Sequence, residues 1–218
     1  MLSVDEKTGI QALERYNGRA PKSKGGHQRR EFEYIRHGTT TLIAATNVEN
    51  GKLVNYHLGP TRDEEDFVAF IKDTLNAMPD LDKVVIIADQ LNTHLSASLV
   101  EWIAQEQEYE KEQLGIKGRT GILKNQKSRR KFLENPAHRI RFVYTPKHCS
   151  WLNPIENWFA KLQRHVIKNG NFAAVKELEY KIHRYIEYYN DCLAKPIKWK
   201  FKGFEKNKIL VNIKCEKT

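Results

Sequence analysis

Two apolar runs in this chain each end abruptly in an acid. Residues 84–88 (VVIIA) are continuous and rich in β-branched side chains, and Asp89 follows them directly. Such a run predicts a buried strand, and open α/β sheets place their chemistry at the carboxyl ends of strands. Residues 2–4 form a shorter, mainly apolar stretch that is followed by Asp5. We therefore expect two strands that each deliver a carboxylate.

Three further segments are predicted to be strands. Residues 39–46 and 53–58 are rich in β-forming residues, and the Asn-Gly pair between them predicts a hairpin. With the first short strand they should form an antiparallel meander. Residues 139–144 alternate charged and apolar side chains and predict a fifth strand. Residues 17–36 contain three glycines, a proline and many basic residues, which predicts a long loop or irregular hairpin.

Apolar residues at helical spacing predict four helices. They cover residues 63–78, a segment from about residue 96, residues 154–168 and residues 174–190. The order β-β-β-α-β-α-β-α-α predicts an α/β fold with a mixed five-stranded sheet flanked by helices. A charged insertion, about residues 104–138, follows the second helix. It either lengthens that helix and adds a basic turn that contacts DNA, which we favour, or forms a solvated excursion.

Charge points to a polyanionic partner. The chain has 218 residues and a formal net charge of +10, with acids in excess up to residue 110 and bases in excess after it. This length suits one domain. Lysine and arginine neutralise phosphates and release counterions, although a merely solvated lysine-rich surface would give the same composition.

Cysteine usage and hydropathy exclude some classes of protein. The three cysteines have no C-x-x-C spacing, so they predict neither a disulfide framework nor a zinc ribbon, and they fit a reducing cytosol. No apolar stretch approaches the roughly 18 residues of a membrane span. We expect a cytoplasmic protein with no membrane partner.

A third acid, Glu156, lies near the start of the third predicted helix. Asp5, Asp89 and Glu156 thus stand at the ends of elements that can converge. Three carboxylates around one point repel each other unless cations lie between them, and Mg²⁺ and Mn²⁺ prefer such oxygen ligands. The economical interpretation is a divalent-metal site.

Four segments carry a resemblance to a known family. They are residues 4–13 (VDEKTGIQAL), 36–42 (RHGTTTL), 88–94 (ADQLNTH) and 144–156 (YTPKHCSWLNPIE). Together they resemble the DDE-type catalytic domain of bacterial insertion-sequence transposases of the mariner superfamily, which are DDE superfamily endonucleases. The resemblance runs from residue 4 to about residue 199, and its last segment is the most specific.

This resemblance implies both a fold and an activity. Residues 1–199 would form a ribonuclease-H-like catalytic domain, and residues 200–218 a basic C-terminal tail. The activity would be DNA strand cleavage and strand transfer by phosphoryl transfer at two divalent cations, Mg²⁺ or Mn²⁺. Asp5, Asp89 and Glu156 would be both the catalytic and the metal-binding triad.

Several neighbours of the three acids have competing interpretations. Asn92 and His94 either orient the turn after Asp89 by hydrogen bonds or contact the substrate. Asn153 would be the N-cap of the helix that carries Glu156, and the spacing of the two residues is that of a capping box, which by itself needs no metal. If Glu156 is a ligand, the cap would also fix its position. Glu6 should face the side of its strand opposite to Asp5 and be supportive or exposed.

Basic residues in three places are candidates for DNA contact. They lie in the insertion, in the loop before the third helix and near the C-terminus: Lys124, Lys127, Arg129, Arg130, Lys131, Lys147, His148, Lys198 and Lys200. Lysines that protect an edge strand would give a similar C-terminal pattern. Trp151, beside His148, is expected to be a packing anchor more than a platform on which a base stacks.

The expected partners are double-stranded DNA, as element ends and target, and further copies of the chain in the active complex. A bacterial, nucleoid-associated location follows from this expectation. Alternative functions are a structure-directed nuclease or integrase of the same fold, or a non-catalytic transposase-derived DNA-binding protein. Transposases of this type carry an N-terminal helix-turn-helix region, which has no counterpart before Asp5. We expect a truncated copy, a frameshift product or an isolated domain.

Overall fold

A computed structural model of the chain describes residues 1–15, 33–78 and 81–198. Its strands are β1 (Leu2–Arg15), β2 (Tyr34–Asn47), β3 (Leu53–Gly59), β4 (Val84–Ala88) and β5 (Ile140–Tyr144). Its helices are α1 (Glu64–Asn76), α2 (Ala97–Glu106), α3 (Lys111–Leu114), α4 (Gln126–Leu133), α5 (Ile155–Leu162) and α6 (Val175–Tyr188). Short π-helical segments, Gln163–Ile167 and Tyr189–Leu193, continue α5 and α6.

The five strands form one mixed sheet in the order β3-β2-β1-β4-β5. β1, β2 and β3 are antiparallel, whereas β1, β4 and β5 are parallel. The predicted mixed five-stranded sheet and its antiparallel meander are therefore confirmed. β1 lies at the centre, with an antiparallel neighbour on one side and a parallel neighbour on the other.

The first strand is longer than the sequence suggested. β1 has 14 residues and stays paired with β2 as far as Arg15. Register shifts after Lys7 and after Ala12 interrupt the apolar alternation, which is why the pattern indicated only a short strand. Most of the predicted loop at 17–36 lies outside the described residues, as do Lys200 and the predicted tail at 200–218.

The hairpin between β2 and β3 is confirmed, and it has a second role. Gly51 adopts a φ of 75°, and its N–H donates to the carbonyl of Asn47 at 2.7 Å. A Cβ on Gly51 would collide with the carbonyl oxygen of Lys195. The N–H of Ile197 also donates to the carbonyl of Val48 at 2.9 Å. The segment after α6 is therefore packed directly on this turn.

Side chains alternate between the two faces of the sheet and build two cores. On β2, Ile43 and Ala45 join the core beneath α1 and α2, while Leu42 and Ala44 join the core beneath α5 and α6. This period of two is what a sheet covered on both faces requires. The functional elements are held between two separately packed layers.

The insertion at 104–138 is packed on the domain. It forms α3 and α4, and α2 ends at Glu106, only three residues into the insertion, so the insertion does not continue as a long helix. Its apolar side chains join the core beneath α1 and α2: Leu114, Leu123, Phe132 and Leu133. Both predicted shapes, the longer helix and the solvated excursion, were wrong, because a few well-spaced apolar residues outweigh a highly charged composition. Among the described helices, none combines the length and apolar character needed to span a membrane.

Candidate active site

Two of the predicted acids occupy matching positions on adjacent parallel strands. β1 and β4 pair in parallel, with Ser3 opposite Ile87. Continued by two residues, this register places Asp5 opposite Asp89, directly after the end of β4. The carboxyl ends of parallel strands meet at one edge of a sheet, so the two carboxylates project into the same region.

Asn153 ties the start of α5 to β1. Its side-chain amide donates to the carbonyl of Val4 at 2.9 Å and to Oδ2 of Asp5 at 3.1 Å. Its Oδ1 accepts a hydrogen bond of 2.6 Å from the hydroxyl of Ser3, which in turn accepts one from the N–H of Ile155 at 2.9 Å. Asn153 is 1% exposed, so these bonds are shielded from water.

The predicted capping box is therefore wrong. Pro154 occupies the N-cap position of α5, and no side chain of the segment caps the helix locally. The hydroxyl of Ser3 satisfies the first helical N–H instead, while the side chain of Asn153 turns towards Asp5. The local spacing of Asn153 and Glu156 suggested a cap because the true partners are some 150 positions away in sequence.

Glu156 lies in the first turn of α5, next to these hydrogen bonds. Burial raises the pKa of its carboxyl, the charge of Lys7 acts in the opposite direction, and the charge of Asp89 adds to the rise. Glu156 in turn contributes to the raised pKa of Asp5. The structure thus brings the three predicted acids into one electrostatic cluster.

Asp5 has the most perturbed carboxyl of the three. Burial raises its pKa from the ordinary 3.8 to about 7, and the nearby charge of Asp89 adds to this rise. The charge of His94 and the hydrogen bond from the N–H of Glu6 act in the opposite direction. A buried carboxyl beside other carboxylates is costly to ionise unless cations compensate the charge.

His94 is fully buried between two acids. Its Nδ1 lies 2.8 Å from Oδ1 of Asp89, and its Nε2 lies 3.2 Å from Oε2 of Glu6. Burial alone would lower the pKa of His94, but the hydrogen bonds and charges of these acids raise it to about 10. The ring packs on that of Phe67, with centroids 4.4 Å apart. The carbonyl of His94 accepts a hydrogen bond from the hydroxyl of Tyr144 at 2.7 Å.

A protonated His94 acts as a counter-charge for Asp89. Burial would raise the pKa of Asp89, but the hydrogen bond and the charge of His94 outweigh burial and hold it below its ordinary value. The N–H of Leu91 and the charge of Arg62 act in the same direction. Both ring nitrogens lie near carboxylate oxygens, although Nε2 makes no well-aligned hydrogen bond, and the raised pKa of His94 favours the protonated ring.

Glu6 is a site residue that the sequence pattern underestimated. Its side chain is only 1% exposed and accepts a hydrogen bond from the hydroxyl of Thr93 at 3.3 Å. One side-chain ligand atom from each of Asp5, Glu6 and His94 lies within 4.8 Å of the others. The side chain of Glu6 reaches His94 just beyond the end of β4. The available signal in the sequence was an acid, Glu6, directly after Asp5, together with a histidine, His94, five positions after Asp89.

The remaining predicted neighbours lie farther out. Asn92 is exposed, and its Oδ1 accepts a hydrogen bond of 2.6 Å from the amide of Gln126 at the start of α4. This bond links the insertion to the turn that carries His94. Gln90 donates to the carbonyl of Thr145 at 2.7 Å and joins the ends of β4 and β5.

Most of the predicted DNA-contacting residues are exposed. The exposed residues among them are Lys124, Lys127, Lys131, Lys147, His148 and Lys198. Arg129 and Arg130 are half-buried, and Arg130 pairs with Glu134 at 2.9 Å while lying over the ring of Tyr144. Trp151 is 72% exposed, so the prediction of a packing anchor was wrong.

Comparisons with known proteins identify the family and the fold. The model of the DDE superfamily endonuclease family, DDE_3, matches residues 1–179. No match was found among curated proteins.

Several solved structures of the Mos1 mariner transposase share the fold. A Mos1 paired-end complex with the left transposon end matches with a TM-score of 0.56 at 11% identity, over 85% of this chain and 47% of that one. A Mos1 mariner paired-end complex with Mn matches with a TM-score of 0.54 at 13% identity, over 85% and 47% of the two chains.

The Mos1 catalytic domain with raltegravir and Mg matches with a TM-score of 0.52 at 9% identity, over 87% of this chain and 72% of that one. The chain thus spans about half of the Mos1 chains in the paired-end complexes. The shared architecture is the ribonuclease-H-like fold, as the resemblance in sequence implied. Since the family model covers most of its length, the chain belongs to the DDE superfamily of endonucleases.

Proposed function

We propose that this chain is the catalytic domain of a transposase, which cleaves DNA strands and transfers them by phosphoryl transfer. Asp5, Asp89 and Glu156 would be its catalytic and metal-binding triad. The observation that carries the proposal is the hydrogen-bonded link from Asn153 to Asp5, because it ties the start of α5, and with it Glu156, to β1, the strand that presents Asp5.

The donor set fits divalent cations such as Mg²⁺ or Mn²⁺. Carboxylate oxygens are the ligands these ions prefer, and the raised pKa of Asp5 shows what the cluster costs when no cation compensates it. Two bound cations would activate the attacking water or 3′-hydroxyl and stabilise the leaving oxygen. The Mn and Mg in the Mos1 structures support the same choice of metal.

The chain's own residues hold this arrangement in place. His94 keeps Asp89 ionised and oriented through its 2.8 Å contact. Asn153 holds Oδ2 of Asp5, and the N–H of Glu6 holds Oδ1 at 2.8 Å, so both oxygens are oriented and each keeps a lone pair for a ligand. The burial of His94 and Asn153 keeps water from competing for these hydrogen bonds.

DNA is the proposed substrate, and the Mos1 paired-end complexes support it. We further propose that exposed basic residues of the insertion and of the loop before α5 follow the phosphate backbone. Active complexes would contain more than one copy of the chain, together with a separate region that reads the element ends. Such a protein would act at the bacterial nucleoid in the cytoplasm.

The test compares wild type with Asp89→Asn and with Asp73→Asn, a matched change at an exposed position on α1. We expect wild type and Asp73→Asn to nick supercoiled plasmid in the presence of Mn²⁺ and to bind Mn²⁺ in calorimetry. Asp89→Asn should lose the nicking and bind Mn²⁺ far more weakly. Equal Mn²⁺ affinity and equal nicking in all three proteins would refute the proposed site.

A further inference from the structure

A surface groove opens beside the candidate active site, at the start of α5. It has a volume of about 630 Å³ and is lined by Trp151, Pro154, Trp158, Lys161, Tyr189 and Lys198, among others. Asn153 also lines it, so the same residue borders the groove and contacts Asp5. The groove is therefore separated from Asp5 by the side chain of Asn153.

The lining of the groove includes a large exposed aromatic side chain, Trp151. Trp151 is 72% exposed at its mouth. It stands in a short 3-10 turn that is fixed by the hydrogen bond from the N–H of Asn153 to the carbonyl of Ser150 at 2.7 Å. An indole as exposed as that of Trp151 has no packing role that explains it.

Three lysines line the groove, and no aspartate or glutamate does so within the described part of the chain. The ammonium group of Lys161 lies over the ring of Tyr189 at 5.3 Å, which holds it at the groove. Lys195 and Lys198 come from the segment that packs on the turn at Gly51. The charge of the groove therefore complements an anion.

Trp158, which lines the groove, carries a polar group without a partner among the described residues. Its side chain is 2% exposed, and its indole N–H has no hydrogen-bond acceptor among the described residues. A buried donor of this kind is satisfied when a ligand brings an acceptor to it. Nucleobases carry such acceptors at their edges.

We propose that this groove binds an unpaired nucleotide of the DNA strand next to the cleavage site, with its base stacked on Trp151 and its phosphates near the lysines. Base stacking on an aromatic platform beside lysines is how proteins hold single strands, and it does not depend on sequence. The assignment deepens the proposed function and rests on it, since strand cleavage is what supplies unpaired nucleotides at this position.

The experiment measures binding without cleavage. Fluorescence anisotropy in EDTA compares a blunt duplex with the same duplex bearing a short single-stranded overhang. Wild type should bind the overhang duplex more tightly, and Trp151→Ala should weaken that binding at least about fivefold while leaving blunt-duplex binding unchanged. Trp151→Phe should retain most of the preference, because it retains a ring.

Two controls separate this proposal from others. Tyr180→Ala removes an aromatic side chain that is 60% exposed on α6 and lies outside the groove, and it should change nothing. Asp89→Asn should keep the overhang preference, so a failure of the catalytic proposal stays distinguishable from a failure of this one.

Three outcomes would overturn the groove's assignment. Wild type could bind both duplexes equally, or Trp151→Ala could weaken both equally, which would make the groove a duplex contact. Alternatively, Trp151→Ala could abolish self-association in sedimentation without affecting the overhang preference, which would assign the groove to a second copy of the chain.

Discussion

Replacing Asn153 by alanine tests how the candidate site is assembled. The variant removes one hydrogen bond to Asp5, one to the carbonyl of Val4 and one from the hydroxyl of Ser3, all in a position that is 1% exposed. Three buried hydrogen bonds at about 1 kcal/mol each give a destabilisation of about 3 kcal/mol. A residue that only capped α5 would cost about 1 kcal/mol.

The measurement is urea unfolding followed by circular dichroism in metal-free buffer, with Asn157→Ala as the matched control. Asn157 is exposed one turn into the same helix, so its loss should cost less than about 0.5 kcal/mol. A loss for Asn153→Ala of about 1 kcal/mol or less would refute the inter-element role and restore the local cap.

Three further predictions each concern the replacement of a single residue. Glu156→Gln should change the free energy of unfolding by less than about 1 kcal/mol, because the carboxylate makes no cap, yet it should abolish metal-dependent nicking; a variant that nicks like wild type would contradict this. Burial lowers the pKa of His138 below its ordinary 6.5. The contribution of the neutral ring to the free energy of unfolding is therefore present above pH 6.5 and is lost as the pH falls through the lower folded-state pKa. His138→Gln should flatten this loss of stability in urea titrations from about pH 8 to about pH 5. Gly51→Ala should lower the melting temperature more than Gly118→Ala, since both glycines have positive φ but only Gly51 faces a backbone carbonyl, and equal shifts would exclude the clash.

The elements that present the acids could be predicted because their signals are local. The run before Asp89 and the helical spacing after Glu156 both appear as β4 and α5. A continuous β-branched run or a stripe of apolar residues needs no knowledge of its partners, since it must be buried somewhere. Resemblance to a family then indicated which acids belong together.

Contacts between distant segments could not be predicted in the same way. Ser3 and Asn153 are 150 positions apart, and each has an adequate local explanation. Glu6 illustrates the same limit, because strict alternation predicts its face but not that β4 ends beside it. Only the assembled sheet places the side chain of Glu6 beside His94.

The insertion was misjudged for a compositional reason. Its charged residues dominate any average over the segment, whereas Leu123 and Leu133 are nearly or fully buried. A few side chains at the right spacing suffice to fix a segment to a core, and an average over composition hides them.

The packing of this segment limits how the domain can be shortened or exchanged. α4 covers part of the core with Phe132 and Leu133, contacts the turn that carries His94, and bonds Asn92 through Gln126. Excising residues 104–138 would uncover apolar surface and remove a support of the turn that carries His94. Because α4 contacts both α2 and β5, removing the segment calls for compensating changes on those two elements, and a graft into another scaffold must carry those surfaces with it.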